Sequence, residues 1–499
     1  MKNISKKAAS LLLILAMLIP TLASCSESTS NSDETAPVAG ESAVDNTAET
    51  VVEDDLNELS GVIRNLPEAN YDGYSFTQWC QNQLTSTIFM RQAPDEELSG
   101  EPINDALWER DRALENKYNI KMDYVVTDNA GVSLYGDGAK IIQAGDDSIG
   151  LIYAVMKSDG PSFVNNGLTI AMSDIEQIDL TQAYWSQNAM RDLAIQGKVF
   201  YATGDITTRY AGAPYLLLFN KQILADRGFA EPYDDVLAGT WTIDKLQNIV
   251  VNQYQDANGD GKVTNEDFFG FAYEKNMQGF AFYNGFGYTA VDITSGEAVI
   301  SVAEEEQINA IDTLTAFAAL QDVWLEPVVY GETKIFEEDR SIFVGQTACN
   351  LYMLTDMESD FGVVPVPKQN EAQDAYYSYA NLHCATCVVV PKSTQDLART
   401  GLLVEAIAAA SRVSSMRAQY EVTLQYRQTR DEPSVTMLQI ISEAATYDPS
   451  NMYNLGALYG VINDCIDSGS PIASKLKSVN KVVPKSFQKM AEKLISTEE

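Results

Sequence analysis

From residue 71 onward, short apolar runs alternate with longer amphipathic stretches, and this alternation restricts the fold more than any other feature. Gly150-Leu151-Ile152-Tyr153-Ala154 and Cys387-Val388-Val389-Val390 are unbroken apolar runs, as strands covered on both faces must be. The runs at 215–219, 341–344 and 361–366 read the same way, and long helices are expected near 394–414, 434–446 and 471–496. Near the start, 74–79 reads as a strand, Asn104 as the cap of a helix with Leu107, Leu114 and Tyr118 inward, and Ile120, Met122 and Tyr124 alternate in a second strand. Strand, crossover helix and strand in this order make an α/β fold with largely parallel sheets. At 499 residues the chain exceeds the roughly 250–300 at which a single core stops growing, so two lobes are expected. No fixed-period repeat appears.

Charge and histidine content narrow the function. Seventy Asp+Glu against 34 Lys+Arg give a formal charge of -36, which leaves no basic face for nucleic acid or an anionic lipid surface. His383 is the single histidine, so HExxH zinc chemistry is excluded and any Ser-His-Asp or Cys-His mechanism would hang on that residue.

Lys2, Lys6 and Lys7 precede an apolar run over 8–18, too short to cross a membrane but of the length of a secretory h-region. The next segment, Leu22-Ala23-Ser24-Cys25, resembles the bacterial lipobox, in which the cysteine is acylated, palmitate included, and becomes the mature N-terminus. Residues 1–24 are thus expected to be a lipoprotein signal peptide and Cys25 the membrane anchor; the alternative is an ordinary signal peptide with an incidental cysteine. Residues 26–60 carry ten acids and no Lys or Arg, a composition too polar to bury a core, so 25–69 is expected to be an acidic tether. Cys80, Cys349, Cys384, Cys387 and Cys465 remain, an odd number. Cys384 and Cys387 have CxxC spacing, but with no partner in view they are expected to be small buried side chains.

Asp256-Ala257-Asn258-Gly259-Asp260-Gly261-Lys262-Val263-Thr264-Asn265-Glu266-Asp267 follows the spacing of a calcium loop. Asp256, Asn258 and Asp260 supply oxygens at positions 1, 3 and 5, glycine stands at 6, the Lys262 carbonyl at 7 and Asp267 at 12. Calcium takes six to eight hard oxygens, and alternate residues of a tight loop aim theirs at one centre. A structural Ca²⁺ is the expectation, with a metal-free polar turn as the alternative.

Several segments together resemble a known family. The lipobox and tether, the 104–118 helix, Gly197-Lys198-Val199-Phe200-Tyr201-Ala202, 218–224, Gly239-Thr240-Trp241-Thr242, 343–348 and Asp360-Phe361-Gly362-Val363-Val364-Pro365-Val366-Pro367 are similar, in this order, to the maltose-binding-like solute-binding lipoproteins of bacterial ABC importers. The resemblance implies a two-lobe periplasmic-binding-protein-like fold with hinge strands and a ligand cleft that closes on binding. It places lobe one at 70–206 plus 361–413 and lobe two at 207–360 plus 414–499. It also implies a carbohydrate ligand, expected to be an oligosaccharide, ABC permease subunits as partners, no enzymatic activity, and a location on the outer face of the cytoplasmic membrane. The segment 203–210 departs from the family's usual Pro-rich form, which leaves the ligand class open.

Sugars offer apolar C–H faces ringed by hydroxyls, so a sugar site pairs aromatic platforms with hydrogen-bonding side chains. The candidates are Trp79 at the end of the first strand, Asp205 and Tyr210 at the expected crossing, Phe282 and Tyr283 in a glycine-punctuated aromatic loop, Asn350 and Tyr352 at a strand end, and His383 before the strand at 387. Trp79 is as well suited to core as to cleft, and the others to an exposed loop or packing. A surface glycoside hydrolase, whose two carboxylates cannot be picked from seventy acids, and a binder of peptide or another solute remain alternatives. GxSxG, Walker and GxGxxG signatures are absent from the sequence.

Overall fold

The computed structural model describes residues 58–84, 89–127, 133–419 and 432–496; the signal segment, Cys25 and most of the expected tether lie outside them. Ten strands build two five-stranded sheets: β1 (Tyr74–Gln81), β2 (Ile120–Thr127), β3 (Leu151–Val155), β4 (Thr169–Ile170), β5 (Tyr215–Asn220), β6 (Phe269–Glu274), β7 (Val323–Glu326), β8 (Ser341–Thr347), β9 (Phe361–Val364) and β10 (Thr386–Pro391). Sheet one runs β2-β1-β3-β10-β4 and sheet two β7-β6-β8-β5-β9.

Both sheets share one pattern. Three parallel strands, β2, β1 and β3 in one and β7, β6 and β8 in the other, are followed by one antiparallel strand, β10 or β5. The antiparallel strand is in each case the one the chain enters on leaving the other sheet. β3, β5 and β10 are buried along almost their whole length, which is why their sequences show no alternation.

Four expectations are corrected. β9 pairs with β5, Phe361 opposite Asn220, so the chain does not rejoin sheet one at 361; it does so at β10. The tether does not extend to 69, because Leu59–Asn65 is a helix whose Leu59 and Ile63 pack on sheet one's core. The first long helix spans Pro102–Tyr118 and is capped by Glu101, whose carboxylate accepts from the Ile103 and Asn104 N–H groups, rather than by Asn104. Finally, 278–285 is a buried helix and not a loop.

A charged cluster ties sheet one to its helices. Arg110, fully buried, donates through Nε and Nη2 to Asp111 Oδ1 at 2.9 and 2.7 Å and through Nη1 to Ser411 Oγ at 3.0 Å, while Tyr124 OH donates to Asp111 Oδ2 at 2.7 Å. The bonds join Pro102–Tyr118, β2 and the helix Leu397–Val413. Breaking such a pair on one side costs about 3–5 kcal/mol, because a bare charge is left behind. In sheet two, buried Trp241 donates from Nε1 to Pro365 O at 3.0 Å and stacks on Phe343 of β8.

Candidate functional site

Open α/β sheets take ligands beyond the carboxyl ends of their parallel strands. Here those ends meet. Asn381 N–H donates to Ala213 O at 2.8 Å, just before β5, and its Nδ2 donates to Thr347 Oγ1 at 3.0 Å, the last residue of β8. Ala348 N–H reaches Pro214 O at 2.9 Å, and Met156 and Lys157, just past β3, donate their N–H groups to Ala385 O and Leu382 O.

Around this seam stand Arg209, Tyr330, Tyr352, Cys349, His383 and Cys384, with Glu274 and Glu332 behind them. Tyr352 feels the field of Cys349, Tyr330, Cys384 and Arg209, and Tyr330 that of Cys384, Cys349, Glu274 and Glu332. Burial pushes the Tyr330 phenol up to about 12 and both glutamates up to about 7. Water reaches the His383 ring, yet enough protein surrounds it to lower its basicity, with Lys157 and Arg209 adding repulsion. Glu274 Oε2, Glu332 Oε2 and Tyr352 OH are buried atoms with no protein hydrogen-bond partner. A glutamate that keeps its proton up to about pH 7 offers an O–H donor as well as an acceptor, and a phenol adds one donor and a flat face.

Of the sequence candidates, Asn350, Tyr352 and His383 fall beside this seam. Tyr352 and Asn350 lie in the 3₁₀ segment Ala348–Leu354 rather than in a strand, and Asn350 Nδ2 donates to Gln346 Oε1 at 2.8 Å. Asp205 and Tyr210 share a separate crevice of about 470 Å³ with Arg412, Met416, Ser442 and Glu443. There Asp205 pairs with Arg412 at 3.1 Å, while burial raises its carboxyl to about 6. Trp79 is 7% exposed, packs in the core with Ala139 and Phe163, and donates from Nε1 to Thr127 Oγ1 at 3.3 Å. Phe282 and Tyr283 are also core: Phe282 packs edge-on to Phe271, and the Tyr283 hydroxyl donates to Gln307. Sequence reading missed Arg209, Tyr330, Glu274, Glu332 and Lys157. Glu274 ends the apolar run of β6 and Lys157 stands two residues past β3, so the carboxyl-end rule applied to every strand would have found them.

The calcium-type loop closes on its own amides. Asp256 accepts from the Gly259 and Gly261 N–H groups at 2.7 and 2.9 Å, Asn258 Oδ1 from Asp260 N–H, and Asp260 Oδ1 from Lys262 N–H. Gly259 and Gly261 take the left-handed conformation that this tight turn needs. Asp267 is fully buried and accepts from Ala257 N–H, Thr264 N–H and Tyr254 OH. Each oxygen keeps a further lone pair, so a cation would meet Asp256, Asn258, Asp260 and the Lys262 carbonyl in one turn, with Asp267 already engaged. Among the described residues no group of three or more His, Cys, Asp or Glu side chains is gathered to hold a metal ion.

No protein-family model matches the sequence, and no curated protein sequence matches it. Solved structures do. A cyclo/maltodextrin-binding protein complexed with maltotetraose aligns over 84% of this chain and 98% of its own, with a TM-score of 0.57 and 12% identity. MalX from Streptococcus pneumoniae in complex with maltopentaose aligns over 82% and 100%, at 0.52 and 15%. The ABC substrate-binding protein Lmo0181 from Listeria monocytogenes in complex with cycloalternan aligns over 84% and 100%, at 0.52 and 11%. The chain has their fold. The likeness is one of architecture, at these identities, rather than of sequence.

The raised glutamates make stability fall with rising pH. Below about pH 4 both the folded and the unfolded chain hold the Glu332 proton; between there and about 7 the unfolded chain releases it first, and above 7 the cost is constant. Glu332→Gln keeps an acceptor for Gln346 and Thr333, so urea unfolding between pH 5 and 7 should show wild-type stability declining faster than the variant's by on the order of 1 kcal/mol per pH unit. Parallel declines would place the Glu332 carboxyl in an environment it ionises freely.

Proposed function

We propose that this protein is the substrate-binding lipoprotein of an ABC importer and captures an extracellular carbohydrate, an oligosaccharide by the size of the ligands bound by its structural relatives, for delivery to permease subunits. The observation that carries this reading is the seam at which both sheets end, where tyrosines and an arginine gather in front of two buried glutamates in a fold whose relatives hold maltotetraose, maltopentaose and cycloalternan. On this reading the sheets belong to two lobes, and a ligand held where they meet would lie against Tyr352 and His383.

Binding is favoured over hydrolysis. A glycosidase needs two carboxyl groups flanking an accessible bond. Glu332 is fully buried and its Oε1 already accepts from Gln346 Nε2 at 2.9 Å and Thr333 Oγ1 at 3.1 Å. Anchorage at the outer face of the membrane through acylated Cys25 is supported by the Leu22-Ala23-Ser24-Cys25 motif after its apolar run. Structural calcium at 256–267 is supported by the spacing of its oxygens and by the glycines of its turn.

Three measurements test these readings. A panel of glycans and peptides, read by thermal shift and calorimetry, should yield a glycan that raises Tm, is recovered unhydrolysed and shrinks the radius of gyration in X-ray scattering; Tyr352→Ala should weaken it by about 1–3 kcal/mol. Hits among peptides alone, or cleavage of the glycan, would reject carbohydrate capture. For the anchor, a full-length Cys25→Ser protein should appear in the medium, and membrane retention equal to wild type would refute acylation. For the metal, calcium should raise Tm over a chelator in wild type but not in Asp256→Ala/Asp260→Ala. A melting temperature indifferent to chelation makes 256–267 a polar turn.

A further inference from the structure

The last helix, Ala473–Ser496, is charged unlike the rest of the chain. Six of the 34 Lys and Arg lie in its 24 residues, against one of the 70 acids, Glu492, which accepts from Gln488 Nε2 at 2.8 Å. Val479, Val483, Phe487 and Ala491 recur every four residues and are buried in the core, which fixes how the helix is turned. Lys477, Lys481, Lys485 and Lys489 run in a parallel row two residues away, about 200° round the helix and about 6 Å apart along its axis. All four are therefore exposed on the side opposite the core, and among the described residues none is paired with a carboxylate. Like charges four residues apart repel one another and weaken a helix. The row is thus held in place by the buried side, against its own repulsion.

We propose that this lysine row docks the protein on an anionic lipid headgroup surface. The expectation that the chain has no basic face is corrected by it, because composition averages what this helix concentrates. The overall charge of -36 does not prevent the contact: at about 0.1 M salt fields fade over about 10 Å, so a surface touching the row meets these lysines ahead of acids on other sides. The row contains lysine and no arginine. Lysine is a compact point charge suited to phosphates spread over a plane, whereas a single shaped anion is better matched by the guanidinium fork. With its apolar side committed to the core, the helix lies on the headgroups without inserting, and the contact is electrostatic. The choice of lipid over another polyanion rests on the Cys25 anchor proposed above, which supplies such a surface. An anchor at one end of a chain leaves the orientation of the folded part open; the row would fix it, with this helix along the membrane.

The test uses the full-length chain carrying Cys25→Ser, so that no acyl group contributes; failure of the anchor itself is read separately, by release to the medium. The protein is sedimented with vesicles of equal parts phosphatidylglycerol and phosphatidylcholine, or of phosphatidylcholine alone, at about 0.1 M and about 1 M salt. Binding should favour the anionic vesicles and vanish at the higher salt. One lysine at an anionic surface is worth roughly fivefold in affinity, so Lys481→Gln/Lys485→Gln should weaken binding about 25-fold, and adding Lys477→Gln/Lys489→Gln should abolish it. Lys140→Gln/Lys334→Gln, exposed elsewhere, should change it by less than about twofold. Glutamine is as good a helix former as lysine, and an unchanged Tm verifies that each variant is folded. The proposal is overturned if anionic vesicles hold the protein no better than phosphatidylcholine, or if the variant lacking all four lysines binds them as the parent does. It is also overturned if polyglutamate at equal charge concentration displaces the vesicles, which would make the row a site for soluble polyanions.

Discussion

Asn381 is the residue on which the meeting of the two sheets depends. Its N–H holds Ala213, its Nδ2 holds Thr347, its Oδ1 accepts from His383 N–H, and its carbonyl accepts from both Cys384 and Ala385. The side chain, in a residue 5% exposed, ties Thr347 and Met277 to the 381–385 turn, and its loss costs more than the usual 1 kcal/mol or so of one hydrogen bond, since the buried Thr347 hydroxyl would lose its donor. The backbone turn it sets leaves His383 exposed and Cys384 buried. The site is therefore positioned by backbone geometry at a crossing, and its side chains inherit that placement.

The seam also departs from the rule that buried polar groups are satisfied. Two clusters follow the rule: Arg110 and Asp111 pair with each other, with Ser411 and Tyr124 taking further bonds, and Asp267 has three donors. At the seam Glu274, Glu332 and Tyr352 each keep a bare oxygen, and the carboxyls relieve the cost by holding protons up to about pH 7.

The α/β architecture was legible in the sequence because β3, β5 and β10 are continuous apolar runs, a signal that needs no long-range information. Trp79 was ambiguous because β1 starts half-exposed at Tyr74 and Ser75 yet buries all of its last four residues, so a strand-end aromatic need not reach a cleft. Phe282 and Tyr283 were read as loop because of Gly285 and Gly287. Gly285 serves packing instead, since a Cβ there would stand 2.5 Å from Val366 Cγ1. The place of β9 was beyond local reading, because an apolar run at 361–364 fits either sheet and only its pairing with β5 decides. Arg209, Tyr330 and Glu332 were hidden by being ordinary surface types in sequence, made unusual by what surrounds them.

The exchange of one strand between sheets has a consequence for the order of assembly. In sheet one, β10 lies between β3 and β4, and among the described residues β4 has no other strand partner. A chain made from its N-terminus thus holds an open strand edge on β3 from about residue 155 until residue 391 has emerged. Such pairing, across more than two hundred residues, raises contact order and slows folding. The same late strand that completes the seam keeps the protein incomplete, and open to chaperones or mispairing, for most of its synthesis.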